Sequence, residues 1–346
     1  MARWVEPMGL LHGRGAFAAV AADAALPLNG GAAAFSLVRL IDDGRTLGIL
    51  PAIDTPEDWQ DAVLALTRRV PPFAGLEAAG RPLVMGILNV TPDSFSDGGR
   101  HLDPLAAVAA GHAMLEAGAD LLDIGGESTR PGAEPVPAEE EMARILPVIR
   151  ELAKAAPVSV DTRHAATMRA ALAAGAEIVN DVTGLRHDPD SVAVVAEAGC
   201  PVVLMHMPGT DPRRMGALAD YGDVSLEVAA HLAERIAVCE AAGIPRGKIA
   251  VDPGIGFGKT LEHNLDLLDR LPLLLGLGCP VLVGASRKRF IGTLSGADSP
   301  ADRMPGSLGV AVAAAARGAA VLRVHDVRET LAALRLWGAV GGGAGV

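Results

Sequence analysis

From about residue 82 onward the chain repeats one pattern. An Ala/Leu-rich stretch of helical period runs into a glycine, and a short run of Val, Ile and Leu follows. Ala117-Gly118-Ala119-Asp120 precedes Leu121-Leu122-Asp123-Ile124, and Ala174-Gly175-Ala176 precedes Glu177-Ile178-Val179-Asn180. Ala198-Gly199-Cys200, Leu277-Gly278-Cys279 and Arg317-Gly318-Ala319 open onto further apolar runs. Glycine takes the left-handed position that closes a helix without a Cβ clash. Helix starts are marked by Asp103-Pro104, and by Ser299-Pro300-Ala301-Asp302 and Asp326-Val327-Arg328-Glu329, which resemble capping boxes. The pattern predicts eight strands, at 82–89, 120–124, 157–161, 177–181, 201–206, 249–252, 280–284 and 320–323. Strict alternation with helices implies a parallel sheet, and eight units imply an α/β fold closed as a (β/α)8 TIM barrel rather than an open sheet.

Residues 1–76 are less regular. Leu26 to Leu50 holds Gly30-Gly31, Asp42-Asp43-Gly44 and two short β-like runs; Thr55-Pro56-Glu57-Asp58 opens a helix to about Arg69, and Pro71-Pro72 reads as a linker. The expected organisation is a small N-terminal α/β extension over 1–76 with no assigned chemistry, a barrel over 77–340 and a flexible tail over 341–346.

The chain has 346 residues, half of them hydrophobic, enough for one barrel plus an appendage. Aromatics are 3%, so Val, Ile, Leu and Ala fill the core, as in parallel strands covered on both faces. A net charge of −11 argues against nucleic acid as a partner, while leaving room for a local anion site. No apolar run reaches membrane-spanning length, and Met1 to Pro7 lacks the order of a signal peptide. Cys200, Cys239 and Cys279 form no CxxC pair, so free thiols in a reducing, cytoplasmic setting are expected.

The strand ends carry the chemistry. They deliver Asn89, Asp123, Asp161, Asn180 with Asp181, His206, Asp252, Ser286, and Arg323 with His325. In a barrel these polar groups converge at the catalytic face. Asp326 reads instead as a cap for the next helix. The loop from Asn89 through Thr91, Pro92, Asp93 and Phe95 to Gly98-Gly99 reads as a lid. Gly125-Gly126-Glu127-Ser128-Thr129-Arg130-Pro131-Gly132 offers backbone N–H groups and a guanidinium to phosphate oxygens. Asp252, at a buried strand end in VDPGIGFGK, needs donors, and a flat heterocycle with adjacent ring N–H and amino groups supplies two. Arg287-Lys288-Arg289 follows the seventh strand, where barrels place anion contacts, and Arg323 and His325 face one way along the eighth. Glu139-Glu140-Glu141 reads as an acidic first helical turn, and His112, His164, His231 and His263 as packing or surface residues.

Together these segments closely resemble the dihydropteroate synthase family. The matching pieces are NVTPDSFSDGG, DIGGESTRPGA, SVDT, IVNDVTG, HM-x-GT, VDPGIGFGK, GASRKRFIG and RVHDV, spread in order over about 82–338. The resemblance implies a cytoplasmic homodimeric transferase of folate biosynthesis. Such an enzyme joins a dihydropterin pyrophosphate to p-aminobenzoate with Mg²⁺ as cofactor and is a sulfonamide target. It implies Asp161, Asn180, Asp252 and Lys288 at the pterin, and Asn89, Arg130, Arg323 and His325 at the pyrophosphate, with Mg²⁺ near Asn89. It implies Phe95, Thr129, Pro131 and Ser286, with Lys288, around the aminobenzoate. Arg130, Lys288, Arg323 and His325 are the implied catalytic residues. The sequence departs from the family at Asp211, inserted between Thr210 and Pro212, and at Gly309, where Ala is usual. The alternatives are a pterin-dependent methyltransferase and a non-catalytic pterin-binding homologue. The first would not need the SFSDGG lid or the SRK stretch.

Overall fold

The computed structural model describes residues 3–31, 33–78, 80–91, 103–128 and 135–341. Phe95, Thr129, Arg130 and Pro131, most of the expected lid, and the tail from 342 onward lie outside the described residues.

Two sheets make up the described chain. The first is antiparallel: β1 (Arg3–His12), β2 (Leu26–Leu28), β3 (Ala33–Asp42) and β4 (Arg45–Pro51). β3 is central, pairing with β1 on one side and with β2 and β4 on the other. A helix over Gly13–Ala21 joins β1 to β2. Neither that helix nor β1 stands out in the sequence, because Pro7 and Gly9 interrupt the strand and Gly13 and Gly15 weaken the helical pattern. The helix expected from Thr55 forms only over Gln60–Thr67, after short 3₁₀ turns at Ala52–Asp54 and Glu57–Trp59.

The second sheet holds β5 (Leu83–Asn89), β6 (Leu121–Gly125), β7 (Val158–Asp161), β8 (Ile178–Asp181), β9 (Val202–Met205), β10 (Ile249–Asp252), β11 (Leu282–Val283) and β12 (Val321–Val324). All pairings are parallel, in the order β10-β9-β8-β7-β6-β5-β12-β11. A parallel bridge between Val251 and Val281 joins the two ends, closing the barrel. β11 is shorter than the expected 280–284, since Pro280 has no N–H to give the ladder. The five helix-closing glycines all have positive φ, from 58° at Gly199 to 113° at Gly175.

Alternation along the strands explains where the polar groups go. Leu83, Met85, Leu121, Ile178, Val203, Ala250, Leu282 and Val321 form one buried cluster, while their neighbours Val84, Leu122, Val179, Val202, Val251 and Leu322 belong to the layer under the helices. Successive side chains point to opposite faces, so residues two further on share the barrel interior. Those residues are Asp123, Asn180, Met205, Asp252, Gly284 and Arg323; by the same parity, Asn89 and Asp161 join them. The lower interior is apolar and the upper interior polar. Phe73, on the segment entering the barrel, is 2% exposed and packs into the lower cluster.

The antiparallel sheet is fastened to the barrel by Arg270. Its guanidinium donates to Glu6 of β1 at 3.0 and 3.1 Å, to Asp223 at 2.9 and 3.0 Å and to Asp266 at 3.4 Å. Asp223 also caps the helix Val224–Ala241, so one cation ties the sheet to two barrel helices. Asp103 caps its helix as expected, by accepting from Leu105 N at 2.9 Å. Ser299 accepts from Ala301 N, at the head of a 3₁₀ turn. Asp326 is a correction: its carboxylate caps nothing and pairs instead with Arg287. The three cysteines are free and buried, and no helix among the described residues is long and apolar enough to cross a membrane.

Replacing Phe73 by Ala opens a cavity at the barrel floor. Unfolding in urea should show a loss of about 3–5 kcal/mol; a loss below about 1 kcal/mol would mean that the floor closes without this ring.

Candidate active site

The upper interior layer is held by ion pairs. Asp123, fully buried in the middle of β6, accepts from Arg323 Nε at 2.5 Å and from Asn180 Nδ2 at 3.1 Å through one oxygen. Arg323 Nη2 reaches Asp161 Oδ2 at 2.6 Å. One guanidinium therefore bridges β6 and β7 from β12. Burial opposes the charge on Arg323, yet Asp123 and Asp161 hold its pKa above the usual arginine range. Burial pushes the Asp161 carboxyl up to about 7, against the pull of Arg323.

Next to this bridge lies the loop after β10. Asp252 is 6% exposed and accepts from Gly254 N at 2.6 Å. Its pKa is raised by burial, with Lys288 pulling it back. Gly254 is obligatory: its φ is 69°, and a Cβ there would come within 1.9 Å of the His206 carbonyl oxygen. Lys288 turns its ammonium onto the Ile255 carbonyl and over the Phe257 ring, 4.6 Å from its centroid. Burial lowers the Lys288 pKa to about 8, with the Asp252 charge opposing. Asp252 Oδ2 and the Arg323 side chain both flank Gly284.

Ser286 and His325 come together on the β11–β12 side. Ser286 Oγ accepts from His325 N at 3.2 Å and sits 3.0 Å from His325 Nδ1. Asn89 ends β5 in register with Gly125. Asp161, Asn180, Asp252, Lys288, Arg323, Ser286, His325 and Asn89 thus all lie at the C-terminal ends of the parallel strands or just beyond. The Arg287-Lys288-Arg289 run divides. Arg287 pairs with Asp326, Lys288 faces Phe257 and the Asp252 loop, and Arg289 opens a helix at the surface.

The comparisons with known proteins agree with this arrangement. The model of the family described as pterin binding enzyme matches residues 85–325. Dihydropteroate synthase of Escherichia coli strain K12 is 49% identical over 257 residues, which is 74% of this chain and 90% of that one. A Xanthomonas albilineans dihydropteroate synthase with 4-aminobenzoic acid superposes with a TM-score of 0.71 at 55% identity, covering 75% of this chain and 93% of that one. The enzyme from the same organism in complex with 7,8-dihydropteroate gives 0.69 at 51% identity, covering 76% and 95%. The chain belongs to the dihydropteroate synthase family of pterin-binding enzymes.

The family match stops short of β1–β4, and both departures from the family pattern lie away from the site's ion pairs. Asp211 turns back on its own loop, accepting from Arg213 N, Nε and Nη2 at 3.0–3.1 Å. Gly309 is exposed on the helix Met304–Ala316, and a Cβ there would meet nothing within 4 Å.

Sequence reasoning missed three features of the site. Met205, Met207, Met215 and Val182 form an apolar cluster with Phe257 beside the polar layer. The signal for Met205 is its position two residues beyond inward-facing Val203. Glu127 and Arg163 form a buried bidentate pair at 2.9 and 2.7 Å, and Glu127 also accepts from Val136 N at 3.2 Å, pinning both ends of the loop after β6. The third is Glu141. Unlike exposed Glu139 and Glu140, it does not simply complement a helix dipole. It is wholly buried and accepts from Thr162 Oγ1 at 2.8 Å. Burial pushes its carboxyl up to about 7, against hydrogen bonds from Thr167 and Thr162.

The native state therefore keeps a proton on Glu141 between pH 4.5 and 7 that the unfolded chain releases, so this residue's contribution to stability falls as pH rises through that window. Glu141→Gln removes the dependence. Between pH 5 and 8 the wild type should lose about 3 kcal/mol more than the variant in urea unfolding; parallel pH profiles for the two proteins would contradict the assignment.

Proposed function

We propose that this chain is a dihydropteroate synthase, which condenses 6-hydroxymethyl-7,8-dihydropterin pyrophosphate with p-aminobenzoate to give 7,8-dihydropteroate and pyrophosphate. The observation that carries the reading is the polar layer on the inward face of one barrel mouth. It sets a buried carboxylate, Asp252, beside an ammonium, Lys288, and next to a guanidinium, Arg323.

The roles follow from charge and depth. Asp252 accepts from the ring N–H and amino group of the pterin, which add two donors to the Gly254 N–H that the carboxylate already has. Asn180, Asp161 and Lys288 hold the other ring edges, and the methionine cluster covers a ring face. Arg323, His325, Asn89 and Arg130 hold the diphosphate at the rim. Ser286, Thr129, Pro131 and Phe95 frame the aminobenzoate, with Lys288 between the two ligands.

In the reaction the bond from the pterin methylene to the diphosphate oxygen breaks, and the electron pair leaves with pyrophosphate. The aminobenzoate nitrogen then bonds to the methylene carbon and loses a proton. Catalysis consists of stabilising negative charge on the leaving group, the role we assign to Arg130, Arg323 and His325. An arylamine of low basicity reaches the carbon without a strong general base, and no covalent intermediate with the protein is needed.

No group of three or more His, Cys, Asp or Glu side chains that could hold a metal occurs among the described residues. The site fits a Mg²⁺ that arrives on the diphosphate, since Mg²⁺ binds through one or two protein oxygens, waters and substrate phosphates. The Asn89 amide oxygen is the group that would meet it, and the ion would neutralise leaving-group charge. A cytoplasmic homodimer accords with the family.

Purified protein mixed with Mg²⁺, the pterin pyrophosphate and p-aminobenzoate should form dihydropteroate, and a sulfonamide should compete with the amine. Absence of product would refute the reading. Lys288→Ala should lower kcat/KM by on the order of a hundredfold or more. Near-wild-type turnover in that variant would remove Lys288 from the site. Pyrophosphate should also appear without the amine if the leaving group departs first, and a strict amine requirement would favour direct displacement.

A further inference from the structure

Lys259 closes the Asp252–Lys259 loop and has no part in the roles above. Its ammonium turns inward and donates to the Phe257 carbonyl at 3.0 Å, with His206 Nδ1 at 3.0 Å and the His206 carbonyl at 3.5 Å. His206 follows β9, so the contacts bind the loop after β10 to the end of the neighbouring strand. The backbone reinforces the junction, because His206 N donates to the Asp252 carbonyl at 3.0 Å. A Cβ on Gly254 would lie 1.9 Å from the His206 carbonyl oxygen and 3.3 Å from Lys259 Nζ. The same Gly254 donates its N–H to Asp252 Oδ1 at 2.6 Å. Two lysines therefore grip alternate carbonyls of one short loop: Lys288 takes that of Ile255 and Lys259 that of Phe257.

We propose that Lys259 is a positioning residue for pterin recognition, clamping the Asp252 loop onto His206 and adding a second ammonium to the surroundings of the Asp252 carboxylate. The proposal rests on the pterin reading of the site. A lysine that only filled a buried space would need one acceptor and no particular place. This one takes acceptors on the loop after β10 and on His206 just after β9, and it lies against the residue whose N–H orients the carboxylate. Its hydrogen-bond partners would be left unmet by an apolar side chain.

The charge has a direction of effect. Burial lowers the Lys259 pKa to about 7, while Asp252 supports its charge and Lys288 opposes it. By reciprocity the charged lysine lowers the pKa of Asp252, as Lys288 and Arg323 also do. The other ionisable groups here are His206, pushed down to about 2 by burial, and His231, pushed down to about 4 by burial, so both are neutral near pH 7. Arg186 donates to the Met207 carbonyl and stays charged. Pterin binding that needs an ionised Asp252 is lost as pH falls through the carboxyl's pKa. Without the Lys259 charge, that loss moves to higher pH.

The test is calorimetric titration with 6-hydroxymethylpterin from pH 5 to 8, on wild-type protein, Lys259→Met and Lys259→Gln. Melting temperatures are measured alongside. Gln keeps an N–H donor for the Phe257 carbonyl without the charge, and it carries the test if the Met variant does not fold. The expected result is a loss of about tenfold in affinity at pH 7 for Met and a smaller loss for Gln. In both, the acid limb of binding should shift upward. If the wild type binds and the variants match it, or lose the same factor at every pH, the proposal falls and the functional reading stands. If the wild type itself does not bind the pterin, the functional reading falls and takes the proposal with it.

Discussion

The structure depends on the bridge from Arg323 to Asp123 and Asp161. Taking these charges out of water costs several kcal/mol per ion, and only close pairing with good hydrogen bonds offsets that cost. The pairing is available because three parallel strands bring their inward-facing ends to one level. β6 and β7 pair in register through Asp123 with Ser159 and Gly125 with Asp161, and β12 returns beside β5 to deliver Arg323. Closure of the barrel by the Val251–Val281 bridge brings Asp252 to the same mouth. A site of this kind is fixed by strands rather than by loops, which suits a reaction whose catalysis is placement and charge.

The two lysines extend that rigidity to a loop. The segment after β10 is rich in glycine, and Lys288 and Lys259 each take one of its carbonyls. On the opposite side, Glu127 and Arg163 lock both ends of the loop after β6, and Arg144 takes the Gly126 carbonyl at 2.7 Å. The loops after β6 and β10 are thus both held near their bases by cations. β1–β4 add support from outside through Arg270, which ties Glu6 to Asp223, the cap of the helix Val224–Ala241, and to Asp266 on the next barrel helix.

The barrel was legible because its signals are local. Glycines that close helices, apolar runs four to five residues long and a polar residue ending each run are written in consecutive letters. The convergence of Asp123, Asp161 and Arg323 could be expected from strand order, but their mutual pairing could not. Which carboxylate meets which cation is set by inward parity and by strand neighbours far apart in sequence. Asp326 shows the limit in the other direction: a good capping letter was claimed by Arg287 across the β11–β12 edge. β1 escaped because Pro7 and Gly9 hide a strand whose stability comes from pairing with β3 and not from its own pattern. Glu141 escaped because a run of three like letters gives no sign of which one turns inward.

The central claim is that the inward polar layer receives a pterin ring with its diphosphate outermost. Diffraction from crystals soaked with 6-hydroxymethyl-7,8-dihydropterin pyrophosphate tests it most directly. The expected density has the amino-pyrimidine edge in hydrogen-bond contact with the Asp252 carboxylate and the diphosphate on the Arg323–His325 side. Density for the ring away from Asp252, or with the diphosphate pointing toward the Phe73 floor, would contradict it.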